Sequence, residues 1–412
     1  MMIPRSAARS LSLFKRPRVS HQIATKAHLI EGGALKHYNP ELYYPVHTNE
    51  LFHQRYRTCV KLGYGGYSTV WLCLDETDNS YRALKVGTRR NSKSMTKEAQ
   101  VLEYLASRNS VHDGRPWLRE ACDTFQIDVP DGSHTCLVYE ALGISLLERI
   151  DLQPGKKLEL PLVKVATYCL LLGIDYLHSS GVIHTDIKLD NIQEALPEEN
   201  TEVLTRLVEA ERSQSSPQKI EADRATIYTS RSLDYKSGVV YPILTDLARR
   251  LLRSTLASPS RTGALACMVA VFGSAEYTHT IQAIPYRAPE VILRMKWNEK
   301  VDIWNLGVIV WELLCGEHLF GRYNELDALA SMIKYLGPPP AEFLKRSNAH
   351  LQYFDEQGNW KGTPLEHTSL KDRLEGGGDI DMFVDFVQPM LSWEPEKRPS
   401  AAALLKHPWL QS

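Results

Sequence analysis

The sequence predicts an α+β fold of two lobes, a small β-rich N-terminal lobe with one main helix and a larger helical C-terminal lobe. Between residues 55 and 140, short β-favouring runs surround a single helical stretch at 95–106. After Glu140 the pattern changes to long helical segments separated by loops, at 161–179, 301–315, 326–336 and 382–391. The length of 412 residues exceeds one compact core, so we expect one large two-lobed unit with tails and inserts.

Composition indicates a globular chain without a strong overall charge. Hydrophobic residues make up 43% of the chain, and 48 Lys and Arg balance 49 Asp and Glu, which argues against direct binding of nucleic acid or a membrane surface. The longest purely apolar stretches fall short of the roughly 20 residues that span a bilayer, so we expect no transmembrane helix. The seven cysteines are scattered and form no CxxC pair, which favours a reduced intracellular protein without a zinc site.

The N-terminal segments precede the predicted domain. Residues 1–30 are basic and contain no acidic residue, which fits either a disordered basic arm or a mitochondrial transit peptide. Residues 31–54 are turn-rich and lead into a domain at 55–410, with an N-lobe at 55–140 and a C-lobe at 141–410. An insert at 195–240 is polar and lacks sustained apolar periodicity, so we expect it to be only partly ordered.

A glycine-rich turn lies between two of the predicted strands. Gly63, Gly65 and Gly66 have no side chains, which lets backbone N–H groups approach phosphate oxygens. Ser68 stands where the usual pattern has its third glycine. A plain hairpin turn has the same signature, so the residues downstream decide between the two interpretations.

Lys85 occupies an apolar strand about twenty residues after this turn. A buried ammonium group needs an anionic partner, and Glu98 on the following helix is suited to supply one. We therefore expect Lys85 to bridge Glu98 and the phosphates of a nucleotide. A surface lysine on an edge strand is the alternative.

The strongest signal is the segment 182–192, which reads V-I-H-T-D-I-K-L-D-N-I. An aspartate that accepts a hydroxyl proton and an asparagine five residues later that binds magnesium converge only in a tight loop, and Asp186 and Asn191 have that spacing. Lys188, two residues after Asp186, is suited to neutralise a transferred phosphoryl group. The segment therefore predicts phosphoryl transfer, with a chance acidic loop as the alternative.

With these motifs in order, the chain resembles a eukaryotic protein kinase, and most closely the SR-protein kinases of the CMGC group. The H-T-D at 184–186 resembles their variant of H-R-D, 62–72 resembles their L-G-x-G-x-x-S-T-V-W-L loop, and 281–291 resembles their D-I-Q…Y-R-A-P-E-V segment. The resemblance covers about residues 45–411. It implies a monomeric kinase of the cytoplasm or nucleus that uses ATP and Mg²⁺ and phosphorylates serine or threonine in Arg- and Ser-rich splicing factors.

The resemblance also assigns roles to individual residues. Asp302 is expected to brace the catalytic loop, and Arg398 to pair with Glu290. The expected nucleotide-binding positions are Leu62, Gly63, Gly65, Gly66, Ser68, Val70, Ala83, Lys85, Glu140 and Leu142. An acidic docking surface for basic substrates, which solvated helix faces would explain equally well, could be formed by Asp355, Glu356, Asp372, Asp379 and Asp381.

Thr185 departs from the arginine that most protein kinases carry before the catalytic aspartate. That arginine gives a phosphorylated activation loop its electrostatic partner. We therefore hypothesise activity that does not depend on phosphorylation of the activation loop.

The second magnesium ligand interrupts the family pattern. Asp246 is the candidate, but Leu247 and Ala248 follow it in place of the family's phenylalanine and glycine. Phe272 and Gly273 resume the pattern, as though the block 247–271 had been inserted. We interpret that block as a retained intron or gene-model error. A genuine insert is the alternative, and it makes a pseudokinase, which binds partners or nucleotide without phosphate transfer, the competing function.

Overall fold

The computed structural model describes residues 39–89, 92–108, 111–196, 201–221, 225–233, 242–245, 277–321, 323–374 and 380–412. The predicted N-terminal arm, the metal ligand Asp246 and the block 247–271 lie outside these residues. The two predicted lobes are present, and the mixed α+β fold is confirmed.

A six-stranded antiparallel sheet in the order β1-β2-β3-β4-β6-β5 forms the N-lobe. Its strands are Leu51–Phe52 (β1), Tyr56–Gly65 (β2), Ser68–Asp75 (β3), Ser80–Gly87 (β4), Ala121–Val129 (β5) and Gly132–Glu140 (β6). Its main helix is Ser92–Ala106 (α1). Strand β5 was missed in the sequence, although its less exposed residues Phe125, Ile127 and Val129 alternate with exposed polar ones.

Helices make up most of the C-lobe. They are Leu146–Asp151, Leu160–Ser179, Thr201–Ser213, Pro289–Ile292, Lys300–Cys315, Glu325–Leu336, Ala341–Leu344, Ile380–Val387, Ala401–Leu404 and Pro408–Gln411 (α2 to α11). Its short strands are Ile192–Glu194, Gln218–Glu221, Ala225–Tyr228 and Pro242–Leu244 (β7 to β10), paired as β7 with β10 and β8 with β9. The single helix predicted at 382–391 is divided, since α9 gives way at Gln388–Leu391 to a 3₁₀ turn that contains Pro389.

Helix α3 runs through the centre of the C-lobe. Within the described residues it is the helix that is long and apolar enough to cross a membrane, with a mean hydropathy of 1.5 over its most apolar window. Purely apolar stretches gave no sign of this helix, because Lys164 and Asp175 interrupt its apolar run, and the expectation of no transmembrane helix stays a prediction. Packing gives the reason for its composition, because 56% of that window is buried inside the protein and Val163, Leu170 and Ile174 are fully buried.

The insert after β7 folds onto the N-lobe. Its helix α4 buries Leu204, Leu207 and Val208, which form one apolar cluster with Val60 of β2 and Leu72 of β3. The expectation that residues 195–240 lack apolar periodicity is therefore wrong for α4, whose buried residues recur at helical spacing.

Polar contacts hold the rest of the insert against strand β2. Lys61 Nζ donates to the carbonyl of Tyr228 at 2.9 Å, and the Arg231 amide donates to the Lys61 carbonyl at 2.9 Å. Arg231 Nε also lies 2.8 Å from Glu211 Oε2 on α4. A segment that follows a C-lobe strand thereby supports the strand that leads into the glycine-rich turn.

Candidate active site

The glycine-rich turn is the tip of the β2–β3 hairpin. Gly65 pairs with Ser68, and Gly63 pairs with Val70 after an irregularity in the ladder. A Cβ atom added to Gly63 or Gly66 would meet no atom of the described chain within 4 Å. Packing of the described residues therefore does not require glycine at these two positions. Close approach of a ligand to the backbone, as the sequence predicts for phosphate oxygens, is the remaining physical reason for it.

Lys85 and Glu98 form an ion pair inside the N-lobe. Lys85 Nζ lies 2.9 and 3.0 Å from the two carboxylate oxygens of Glu98, and the side chains are only 12% and 7% exposed. The Tyr139 hydroxyl donates to Glu98 Oε1 at 2.8 Å. The structure thus brings Lys85 and Glu98 together. It adds the hydroxyl of Tyr139, which precedes Glu140 near the end of strand β6.

The catalytic loop joins Asp186 and Asn191 directly. Asn191 Nδ2 donates to the backbone carbonyl of Asp186 at 2.8 Å and to its Oδ2 at 3.1 Å. Both side chains are buried. The Asn191 carbonyl accepts hydrogen bonds from the amide and the hydroxyl of Thr245, and His184 Nε2 lies 2.9 Å from the Thr245 carbonyl. The loop is therefore tied to the residue that precedes Asp246.

Asp302 of helix α6 holds the backbone of this loop, as the resemblance implied. Its carboxylate accepts the amides of His184 and Thr185, each at 2.8 Å, and lies 3.0 Å from His178 Nε2. Thr185 adopts a φ of 67°, in the left-handed region that a β-branched residue rarely occupies. No sequence pattern indicates this strain, which lies one residue before Asp186.

Lys188 lies within the loop, next to Asp190. Its Nζ is 3.6 Å from Asp190 Oδ2, and its side chain is 21% exposed. The role predicted for Lys188 toward a phosphoryl group stays a prediction.

The hinge, the segment around Glu140–Leu142 that joins the two lobes, begins at the end of strand β6. Ala83 pairs with Tyr139 across β4 and β6, and Glu140 ends β6. Beyond Leu142, the Gly143 amide donates to the Glu194 carbonyl at 2.8 Å, so that the hinge leads directly to strand β7 after the catalytic loop. These contacts place the hinge strand and the catalytic loop on neighbouring segments.

A buried ion pair reinforces this connection. Arg149 of α2 and Glu194 of β7 share two hydrogen bonds of 2.6 Å, and their side chains are 4% and 1% exposed. Nothing in the local sequence marks these two residues as partners, because they lie 45 positions apart.

Asn191 fits a magnesium ion. Its amide nitrogen donates to Asp186, which leaves Oδ1 as the atom suited to a cation. No group of three or more His, Cys, Asp or Glu among the described residues could hold a metal by itself. That agrees with the way Mg²⁺ binds to substrate phosphates and only one or two protein side chains. The second predicted ligand, Asp246, lies outside the described residues.

The expected pair in the C-lobe is present. Arg398 Nη1 and Nη2 each lie 2.7 Å from a carboxylate oxygen of Glu290, and both side chains are fully buried. This bidentate pair joins the A-P-E segment at 288–290 to the segment that contains Arg398, near the C-terminus of the C-lobe.

Of the predicted acidic surface, Glu356, Asp372 and Asp381 are exposed and Asp355 is partly buried, and local contacts occupy three of these four residues. Asp355 accepts hydrogen bonds from Asn359, and those bonds lower the pKa of its carboxyl group. Asp372 is held in the same way by Ser369, whose hydrogen bonds lower its pKa. Asp381 pairs with Lys371 at 2.6 Å. Asp379 lies outside the described residues.

Comparison with known proteins identifies the same family that the motifs of the site resemble. The family model of the protein kinase domain matches residues 56–201 and 267–410. A serine/threonine protein kinase of Aspergillus fumigatus is 38% identical over 92% of this chain and 91% of its own length. The serine/threonine-protein kinase SRPK of Physarum polycephalum is 31% identical over 89% of this chain and 88% of its own length.

More distant relatives and a solved structure agree. SRSF protein kinase 3 of Mus musculus is 26% identical over 89% of this chain and 88% of its own length. The crystal structure of the kinase domain PF14_0431 superposes with a TM-score of 0.66 over 90% of this chain and all of that chain, and its 21% identity supports the fold alone. The chain therefore belongs to the protein kinase family and is a serine/threonine protein kinase of the SRPK type.

Proposed function

We propose that this kinase transfers the γ-phosphate of ATP to serine or threonine in Arg- and Ser-rich protein segments of splicing factors. The observation that carries the proposal is the catalytic loop itself, in which Asp186 and Asn191 are hydrogen-bonded to each other and braced by Asp302. The ion pair of Lys85 and Glu98 supplies the other fixed element of a kinase site.

The residues of the chain divide the chemistry among them. Asp186 orients the substrate hydroxyl and accepts its proton, and Lys188 neutralises charge on the transferred group. Lys85 holds the nucleotide phosphates while Glu98 fixes its ammonium group. A bound Mg²⁺ ion supplies charge neutralisation at those phosphates, with Asn191 and Asp246 as its proposed protein ligands.

The nucleotide is proposed to lie between the glycine-rich turn and the hinge. Gly63, Gly65, Gly66 and Ser68 present backbone amides to its phosphates. The base makes two kinds of contact, packing against apolar side chains and hydrogen bonds to the hinge backbone. The residues proposed for these contacts are Leu62, Val70, Ala83, Glu140 and Leu142. In support, Val70 pairs with Lys85 across β3 and β4, and Ala83 lies two residues before Lys85 on the same strand.

Two observations support a basic substrate. The relatives include an SRPK and an SRSF protein kinase. Asp355 and Asp372 lie at the surface of the C-lobe, where aspartate carboxylates are ionised near neutral pH. Carboxylates that stay charged can attract arginine side chains of a substrate segment.

The test is phosphate transfer from radiolabelled ATP with Mg²⁺ to an Arg-Ser repeat peptide. We expect transfer by the full chain, loss of at least a hundredfold in the Asp186→Asn variant, and much weaker labelling of an Ala-Ser peptide of equal length. Equal labelling of both peptides would refute the basic substrate class. Labelling that survives Asp186→Asn would refute the assignment of the catalytic aspartate.

A pseudokinase is the second candidate, and the sequence Asp246-Leu247-Ala248 is the specific observation that favours it. A variant that lacks residues 247–271 separates the two candidates. Transfer by the deletion variant but not by the full chain would mean that the full chain is inactive. Transfer by both would exclude the pseudokinase.

A further inference from the structure

Tyr43, which precedes the sheet, reaches the glycine-rich turn. Its hydroxyl donates a hydrogen bond of 2.9 Å to the backbone carbonyl of Gly65, 22 residues later in the chain. We propose that Tyr43 is a positioning residue that holds this turn in place for nucleotide binding. The inference rests on the proposed function of the turn, and it adds a residue from outside the predicted kinase domain.

The segment that carries Tyr43 is anchored independently of the turn. Val46 is buried in the apolar cluster on the outer side of the sheet. The ring of Tyr44 lies edge-on to those of Phe52 and His134, at 5.7 and 5.5 Å between centroids. Because these contacts fix the backbone directly after Tyr43, the position of Tyr43 does not depend on the turn.

The turn needs such support, because little packing surrounds it. No described atom lies within 4 Å of a Cβ position at Gly63 or Gly66, and Tyr67 at the tip is 43% exposed. Hydrogen bonds therefore matter more here than apolar contacts. One reaches the turn from the end of β4, where the Thr88 amide donates to the Tyr67 carbonyl at 2.8 Å. The bond from Tyr43 holds the opposite strand of the hairpin.

Fixing a carbonyl also fixes the adjoining peptide group. The Gly65 carbonyl shares a planar peptide unit with the Gly66 amide, so a bond to the one restricts where the other points. A turn that is already ordered loses less conformational entropy when it binds phosphate. Loss of the Tyr43 hydroxyl should thus weaken nucleotide binding without changing the chemical step.

The first test is hydrogen exchange of the nucleotide-free full-length chain. In the Tyr43→Phe variant we expect exchange of a peptide covering residues 62–70 to rise roughly three- to tenfold, the range that corresponds to one ordinary hydrogen bond. Tyr44→Phe is the matched control, because it removes the neighbouring hydroxyl from the same segment but one that bonds Glu50. Exchange at 62–70 should stay unchanged in that control.

The second test is equilibrium binding of MgATP, followed by steady-state kinetics with the Arg-Ser peptide. For Tyr43→Phe we expect Kd and KM for ATP to rise roughly three- to tenfold while kcat stays within twofold of the unmodified chain. Tyr44→Phe should match the unmodified chain in all three. Binding is scored separately from transfer, so a chain that binds MgATP without transferring phosphate would refute the proposed function and still test Tyr43.

Three results would overturn the inference. One is an unchanged Kd for MgATP in Tyr43→Phe. Another is an equal shift in Tyr44→Phe, which would reveal general loosening of the segment. The third is a fall in kcat with unchanged Kd, which would assign the hydroxyl to the chemical step instead of the position of the turn.

Discussion

Thr185, which precedes the catalytic aspartate, is the β-branched residue among the described non-glycine residues with positive φ. Thr185 holds a φ of 67°, which costs of the order of 1–3 kcal/mol for a non-glycine residue. The carboxylate of Asp302 compensates by accepting the amides of both His184 and Thr185. The strained conformation therefore persists because a buried acceptor on helix α6 holds it.

A double-mutant cycle tests this compensation. Asp302→Asn should lower the free energy of unfolding by roughly 1–3 kcal/mol, because the amide offers one acceptor oxygen in place of two. Thr185→Gly removes the strain at the same backbone. Relief of strain then no longer offsets the lost bonds, so the loss caused by Asp302→Asn should be larger in the Thr185→Gly background. Urea unfolding of the four proteins gives the coupling, and additive losses would contradict the explanation.

His134 gives stability a dependence on pH. It is buried, and burial lowers the pKa of its imidazole, as does nearby Arg89, while the carbonyl of Gly87 at 2.8 Å opposes the shift. The folded protein then binds fewer protons than the unfolded chain, so stability is greatest above pH 6.5, the ordinary histidine value, and falls as pH drops below it.

The variant His134→Gln isolates this contribution, since glutamine can still donate to the Gly87 carbonyl. Between pH 7.5 and 5.5 we expect it to lose less stability than the unmodified chain, as measured by denaturant unfolding at each pH. Exposed His47 provides the control, and His47→Gln should leave the difference between the two pH values unchanged.

At the level of elements, the pair of Arg149 and Glu194 joins the helix after the hinge to the strand after the catalytic loop. Removing one partner leaves the other charge buried without compensation. Arg149→Met should therefore cost roughly 3–5 kcal/mol of unfolding free energy, and Arg149→Met with Glu194→Leu should recover most of it. The exposed pair of Lys345 and Glu342 is the control, where Lys345→Met should cost less than about 1 kcal/mol. Equal costs at the two pairs would contradict this view.

Sequence patterns predicted the elements whose signals are local. Helix α6 was predicted within one residue of its start, and the spacing of Asp186 and Asn191 was enough to place both in one loop. Helix α4 was missed because its partners, Val60 and Leu72, lie far away in the chain and its apolar residues stand in a polar segment. The contact of Tyr43 with Gly65 was missed for the same reason, since no periodicity marks a single long-range hydrogen bond.

On the scale of the whole molecule, helix α4 connects the two lobes, because it follows C-lobe strand β7 and packs on N-lobe strands β2 and β3. Leu207→Ala should lower the stability of the chain by about 2–4 kcal/mol and speed hydrogen exchange in β2. Arg206→Ala on the exposed side of the same helix is the control and should change neither quantity. Unchanged exchange in β2 for Leu207→Ala would show that the insert does not support the N-lobe.

The same internal bracing bears on regulation. In kinases with H-R-D, a phosphorylated activation loop orders the site through the arginine. Here Asp302 and Thr245 hold the catalytic loop through its backbone atoms, and these bonds do not involve the Thr185 side chain. We therefore expect phosphatase treatment, checked for completeness by mass spectrometry, to leave transfer to the Arg-Ser peptide within twofold of the untreated enzyme. Replacing Asp302 by Asn in the same assay should reduce transfer at least tenfold, because it removes a brace of the catalytic loop. A dephosphorylated enzyme that lost activity would mean that the loop needs an external charge despite these contacts.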